Sequence, residues 1–120
     1  MPKKAHPMDV ARTAVSVMGL EDKETKSNSS SSNMRKAIRI FAKTPAAIAA
    51  FFRVRKGKKI IQPKKGLGFS ENFFYMCFGK IPNKEIIKAF DVSLILYAEH
   101  SFNVSTFTAR TITSSLSDIH

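Results

Sequence analysis

The chain has 120 residues, is 43% hydrophobic and carries a formal net charge of +11, a length that suits one modest domain. The single cysteine, Cys77, excludes an internal disulfide and offers no metal-ligand spacing, and neither a signal-peptide core nor a membrane-spanning run is present. The charge is lopsided: residues 1–65 hold 16 Lys and Arg against 4 Asp and Glu, whereas residues 66–120 hold 4 against 5.

Residues 7–19 read as the first helix. Pro7 suits a first turn, Met8, Ala11, Ala14, Val15 and Met18 recur at helical spacing, and Gly19 is a stop signal. The Ala- and Val-rich surface of this helix suits close packing, including against another subunit. Residues 20–33 (LEDKETKSNSSSSN) are polar and low in complexity, and four consecutive serines supply no core. They read as a flexible surface linker.

Residues 34–43 form a short amphipathic helix with Ala37, Ile38 and Phe41 inward. Thr44-Pro45 then breaks it and opens a second helix that runs to Gly57, since Thr at an N-cap followed by Pro is a start signal. Between Met34 and Lys65 lie 11 basic residues and no acidic one. Such a block can serve nucleic acid, an anionic membrane or a polyanionic ligand. A charge run is more often a solvated face, here with its acidic partners beyond the chain or on a second subunit. No helix-turn-helix or similar docking element accompanies the block, so neither a nucleic-acid nor a membrane partner is expected. Residues 58–68, punctuated by Pro63, Gly66 and Gly68, are a loop.

Ser70 is placed to cap a helix over 71–79 that ends at Gly79 and buries its Phe-rich sequence, and Cys77 reads as a small buried apolar side chain. Asn83 then caps a helix from Glu85 to about residue 98. Ile86, Ile87, Ala89, Phe90, Val92, Leu94, Ile95, Leu96, Tyr97 and Ala98 make it apolar on nearly every face, the pattern of a buried central helix. Burying such a helix takes more protein than this chain supplies. After a break at 101–103, Ser105 or Thr106 caps a last helix that reads as cut in mid-pattern at residue 120. No strand alternation competes with these patterns, so the fold class is all-α.

On chemistry alone, His100 is the best catalytic candidate. It follows the apolar helix, beside Glu99, where the helix's negative end favours a protonated imidazole. A lone histidine with no nucleophile or second acid–base group in sequence reach is also readily satisfied by one backbone carbonyl. No Gly-rich phosphate loop, serine nucleophile elbow or zinc spacing is present.

The stretches AHPMDVARTAVSVMG (5–19), ENFFYMCFGKIPNKEIIKAFDVSLIL (71–96) and SLILYAEHSFNVSTFTAR (93–110) resemble the citrate synthase family, in particular its bacterial branch with the 2-methylcitrate synthases. The resemblance covers 5–19 and about 67–120; residues 20–66 match only as a variable helical region. It implies an all-α homodimer of a large and a small helical domain, of which residues 1–120 would be an internal piece of the large one. It implies condensation of an acyl-CoA, acetyl- or propionyl-, with oxaloacetate, followed by thioester hydrolysis. No metal or resident cofactor is implied, the acyl-CoA being a substrate, and a reducing cytoplasm is the expected compartment. The family's Ala-(Asp/Glu)-His-x-x-Asn-(Ala/Val)-Ser motif falls on His100, whose implied role is to hydrogen-bond the thioester oxygen. Asn72 is the implied oxaloacetate contact, with a plain helix-terminal polar role as its alternative. The family's second catalytic histidine, in a Gly-Pro-x-His-Gly-Gly run, and its catalytic aspartate have no counterpart in these 120 residues. Its substrate-binding histidine is likewise replaced within Gly68-Phe69-Ser70-Glu71. The chain alone is therefore expected to be inactive, and the alternative reading is a non-catalytic helical dimerisation module derived from the family.

Overall fold

The computed structural model describes residues 2–98 and 103–118, and these form five α-helices and no strand. Helix α1 spans Pro7–Glu21, α2 Ser30–Arg55, α3 Phe69–Phe78, α4 Lys84–Ala98 and α5 Val104–Thr113. Helices α1 and α3 both pack on α2, α4 packs on α3, and among the described residues α5 packs on none of the other helices.

α1 starts as its sequence demands. Pro7 needs no hydrogen-bond partner for a missing N–H, and His6 Nδ1 accepts from the Met8 N–H at 3.2 Å. It does not stop at Gly19. That residue is helical and buried, and its carbonyl accepts from the Asp22 N–H (3.3 Å) and the Thr25 hydroxyl (2.9 Å). The chain therefore turns after Glu21, on side chains that local glycine statistics do not register.

Residues 20–33 are not one linker. Leu20 and Glu21 complete α1, and Ser30–Asn33 form the first turn of α2, where Ser29 caps the helix by accepting from the Ser32 N–H at 3.2 Å. A serine run is poor core but good cap. The connection is thus 22–29.

Helices expected at 34–43 and 44–57 are one continuous element of 26 residues with Pro45 inside it. Pro45 has no N–H to offer the Phe41 carbonyl, and the Thr44 hydroxyl turns back to the Ile40 carbonyl at 2.7 Å instead of capping a new helix. Packing on both flanks holds the helix through the proline. Val10 and Ala14 of α1 face Ala47, Ala50, Phe51 and Val54 across a narrow crevice. On the other flank Ala46, Ala49 and Phe52 meet Phe73, Met76 and Cys77 of α3.

α3 opens two residues earlier than its sequence suggests. Gly68 is the N-cap, with the Glu71 carboxylate accepting from its N–H at 2.8 Å, and Gly79 closes the helix at φ +78° as expected. Ser70 caps nothing. It is buried and donates to the Asp91 carboxylate of α4. Asn83 caps α4 through the Ile86 N–H (3.0 Å), and α5 is capped by Asn103 through the Thr106 N–H (2.9 Å), not by Ser105 or Thr106.

The expectation of a buried central helix is not met: α4 has no buried residue. Phe90 stacks on Phe73 (5.6 Å, 2°) and meets Phe74 edge-on (5.1 Å), but Ile95 and Tyr97 are 72% and 82% exposed. A helix apolar on all faces needs neighbours all round, and here α3 covers only one side.

Met76, 5% exposed at the centre of the α2–α3 contact, tests this core. Met76→Ala is expected to lower stability by about 2–4 kcal/mol through lost transfer energy and a residual cavity. Urea unfolding followed by circular dichroism checks this as a lower midpoint at unchanged slope.

Candidate active site

His100, with Glu99, lies outside the described residues. The elements on either side of it are described. α4 ends at Ala98, and α5 begins at Val104 behind the Asn103 cap. The apolar faces of both α4 and α5 are largely open.

α4 is docked on the α3 side by two contacts of different kinds. Phe90 fits against Phe73 and Phe74, and Asp91 accepts from Ser70. Both lie in the middle of α4. The Ser70–Asp91 pair joins residues 21 apart and carries no local sequence signature.

Asn72, the expected oxaloacetate contact, is half-buried in α3, and its amide grips the preceding loop. Oδ1 accepts from the Lys64 N–H and Nδ2 donates to the Lys64 carbonyl, both at 2.9 Å. This two-bond clamp fixes the loop over 64–68. An amide nitrogen has two N–H groups, so one remains for an anionic oxygen.

The basic block resolves into three parts. Near its start, acidic residues of the 22–29 connection turn back onto α2. Arg39 donates to both oxygens of Asp22 (2.7 and 2.8 Å) and pairs with Glu24 (2.8 Å), and Arg35 also holds Glu24. Bidentate guanidinium–carboxylate geometry is the strong form of such a pair. These hydrogen bonds, from Arg35 first and then Arg39, hold the Glu24 carboxyl at about 2, below its ordinary 4.5. Lys36, wholly buried, reaches Asp118 at 2.7 Å. At the far end Arg53 bonds the Lys59 and Cys77 carbonyls, Lys56 sits 4.4 Å over the Phe52 ring, and Lys58, Lys59, Lys64 and Lys65 project into solvent. Part of the expected acidic complement thus comes from this chain. Burial raises the Cys77 thiol, Arg53 opposing it.

A groove of about 540 Å³ opens between α2, α3 and α4, lined by Phe41, Ile48, Phe69, Phe73, Phe90 and Leu94 among others. Its lining has no acid or base, and its one hydroxyl, Thr44, is bonded back to the Ile40 carbonyl, so the groove suits apolar surface rather than chemistry. Among the described residues no group of three His, Cys, Asp or Glu converges as a metal site, and no helix is long and apolar enough to cross a membrane.

The family model described as "Citrate synthase, C-terminal domain" matches residues 1–120. The chain is 47% identical over all 120 residues to a citrate synthase of Mycolicibacterium smegmatis, covering 32% of that protein. It is equally 47% identical to a 2-methylcitrate synthase of Mycobacterium tuberculosis, covering 30%. Among solved structures, the citrate synthase of Pyrobaculum aerophilum superposes with a TM-score of 0.84 at 29% identity, over 98% of this chain and 32% of that one. The chain spans about a third of the length of the curated relatives it matches.

The Glu24 pairing sets a pH dependence. Its carboxyl titrates lower folded than free, so its contribution is whole above about pH 4.5, fades below that, and is gone once the pH falls through about 2. NMR titration of the Glu24 side-chain carbon should show a midpoint near 2 in the native chain. In Arg35→Gln the midpoint should rise toward 4.5, as the largest cause of the shift is removed.

Proposed function

The chain belongs to the citrate synthase family, and on that premise we propose that it forms the part of an acyl-CoA:oxaloacetate C-acyltransferase that supplies His100 to the reaction. The observation that carries this reading is the 47% identity, unbroken over all 120 residues, to enzymes named for citrate and for 2-methylcitrate. The acyl donor is accordingly acetyl-CoA or propionyl-CoA, and the acceptor is oxaloacetate.

The chemistry follows from what an imidazole can do. Removing a proton beside a thioester carbonyl leaves negative charge on that carbonyl oxygen. A donor aimed at this oxygen stabilises the transition state more than the ground state, and such donors are worth about 10²–10³ in rate. His100 provides that hydrogen bond. The enolate carbon attacks the oxaloacetate carbonyl, forming the carbon–carbon bond. Water then cleaves the thioester and CoA leaves. The base that takes the proton and the second histidine belong to family motifs not found in these 120 residues, so the chain alone does not turn over. No metal or resident cofactor enters these steps. Asn72 contributes by fixing the 64–68 loop, with its remaining N–H directed to a substrate carboxylate. The compartment is the reducing cytoplasm, where a lone thiol such as Cys77 stays reduced.

A second reading has its own support. Met8, Val17 and Leu20 of α1 are exposed, as are Val104, Phe107 and Ile112 of α5. These apolar faces suit a homodimer and account for a module that associates without catalysing.

Two measurements test these readings. A chimera in which residues 1–120 replace the matching third of the Mycolicibacterium smegmatis enzyme should release CoA from acetyl-CoA and oxaloacetate. His100→Gln should lower its kcat by about 10²–10³; an unchanged kcat would remove His100 from the mechanism. Sedimentation of the purified 120-residue chain should show twice the monomer mass. A stable dimer whose chimera is inactive would favour the module.

A further inference from the structure

We propose that the lysine row along the 58–65 loop, continued by Lys80, is a docking surface for a linear polyphosphate. The inference is independent of His100 and of the acyl-transfer reading.

The row stands on a fixed backbone. Arg53, in the last turn of α2, donates to the Lys59 carbonyl and, through Nη1, to the Cys77 carbonyl at 3.1 Å. The start of the loop is thereby held at the C-terminal end of α3. Ile61 Cδ1 lies 3.3 Å from where a Cβ on Gly79 would stand, so the loop also closes on the glycine that ends α3. Farther on, Asn72 clamps Lys64 through two bonds of 2.9 Å. The loop therefore runs back along α3 from its last turn to its first, a distance of roughly 10 Å at about 1.5 Å per residue.

Lys58, Lys59, Lys64 and Lys65 are exposed along this path, and Lys80 is exposed just past Gly79. Among the described residues none of the five pairs with a carboxylate. Of the acids on α3 and α4, Glu71 accepts from the Gly68 N–H and Asp91 from Ser70. The helix ends do not account for these lysines either. Arg53 already serves the carbonyl near the C-terminus of α3, and Lys56, at the end of α2, lies over the Phe52 ring. Like charges held near one another without counter-charge repel, and a bound polyanion relieves that repulsion.

The residue types select the partner. Lysine is a compact point charge that suits phosphate, whereas a carboxylate favours the fork of a guanidinium. This chain follows the second rule where it binds Asp22 and Glu24 with Arg39 and Arg35. No aromatic residue lies within 58–68 for a base to stack on, and Phe78, at the end of α3, packs against Phe52 and Phe74. A single-stranded nucleic acid would need such a platform. What matches a row of lysines on an exposed loop is an extended chain that repeats phosphate and carries nothing else. Because Arg53 and Asn72 hold the backbone in place, little ordering cost falls on binding.

The test uses the full 120-residue chain and an end-labelled linear inorganic polyphosphate, read by fluorescence anisotropy across a salt series. Binding is expected at about 0.15 M salt. It should weaken as salt rises, log Kd climbing against log salt with a slope of about 3–4, from five contacts at about 0.7 each. The double variants Lys58→Gln/Lys59→Gln and Lys64→Gln/Lys65→Gln should each weaken binding by about tenfold and lower the slope by about 1–2, with an unchanged circular dichroism spectrum because these side chains are exposed. Lys3→Gln/Lys4→Gln removes the same charge from exposed residues near the start of the chain and should change Kd by less than about twofold. Asn72→Leu frees the loop at constant charge and should weaken binding by about threefold or more. The proposal is overturned if no binding is seen at that salt, if the Lys3/Lys4 variant loses as much as either loop variant, or if Asn72→Leu binds as the parent does. An oligothymidylate of equal charge, or phosphatidylglycerol vesicles, bound as tightly as polyphosphate would also overturn it, the row then being a patch that any anion can occupy.

Discussion

Everything in this chain is built on the alanine run of α2, residues 46–50, being narrow enough to carry a helix on each flank. Ala47 and Ala50 face α1, and Ala46 and Ala49 face α3. Ala49 is 1% exposed and packs with Met76 and Cys77 of α3. Small residues let helix axes approach while larger neighbours, Phe51 on one side and Phe52 on the other, fill the remaining space. Two stripes on one helix also explain why Pro45 does not break it. The bonds lost at a proline are local, and the packing that holds the axis continues above and below it.

The surplus of apolar surface follows from the same arrangement. Once α1 and α3 occupy α2, only α3 is left to receive α4, and it receives one face. α5 receives none. A sequence as apolar as 86–98 states how much contact it requires but not where that contact comes from. The relatives are about three times as long, and in this chain α4 and α5 are left with open faces. The apolar groove lined by Phe41, Phe69 and Leu94 belongs to that same unfilled surface.

How much of this could be read from residues alone divides along physical lines. Signals that act within a few residues were legible: Pro7 opening α1, Gly79 closing α3 and Asn83 capping α4 all work through bonds to near neighbours. Signals that packing overrides mislead. Gly19 looks like a stop until its buried carbonyl is seen to accept from Thr25, and Thr44-Pro45 looks like a new start until both flanks of α2 are occupied. The serines at 29–32 look like linker because composition does not reveal which one caps. The site was the reverse case. His100 stands out as a candidate on chemistry alone, but its role, and Asn72 altogether, come only through resemblance, since a lone imidazole and a lone amide have no periodicity. Ser70–Asp91 and Lys36–Asp118 were not reachable at all, because nothing local marks residues 21 and 82 positions apart as partners.

The charge distribution shows why a run of like charges is a poor guide to function. Eleven basic residues without an acidic one between Met34 and Lys65 suggest a polyanion surface. Folding brings the preceding connection back over the helix, so Asp22 and Glu24 neutralise Arg35 and Arg39. It also brings Asp118 to Lys36 from the other end of the chain. What looks in one dimension like a single basic field is in three dimensions a set of structural bonds followed by a solvated lysine loop. The first group orders the backbone around α2. Only the second keeps charge free at the surface, and it leads into the loop that Asn72 holds in place. Charge that fixes structure and charge available to a ligand are thus adjacent in sequence. Only the return of distant carboxylates separates them.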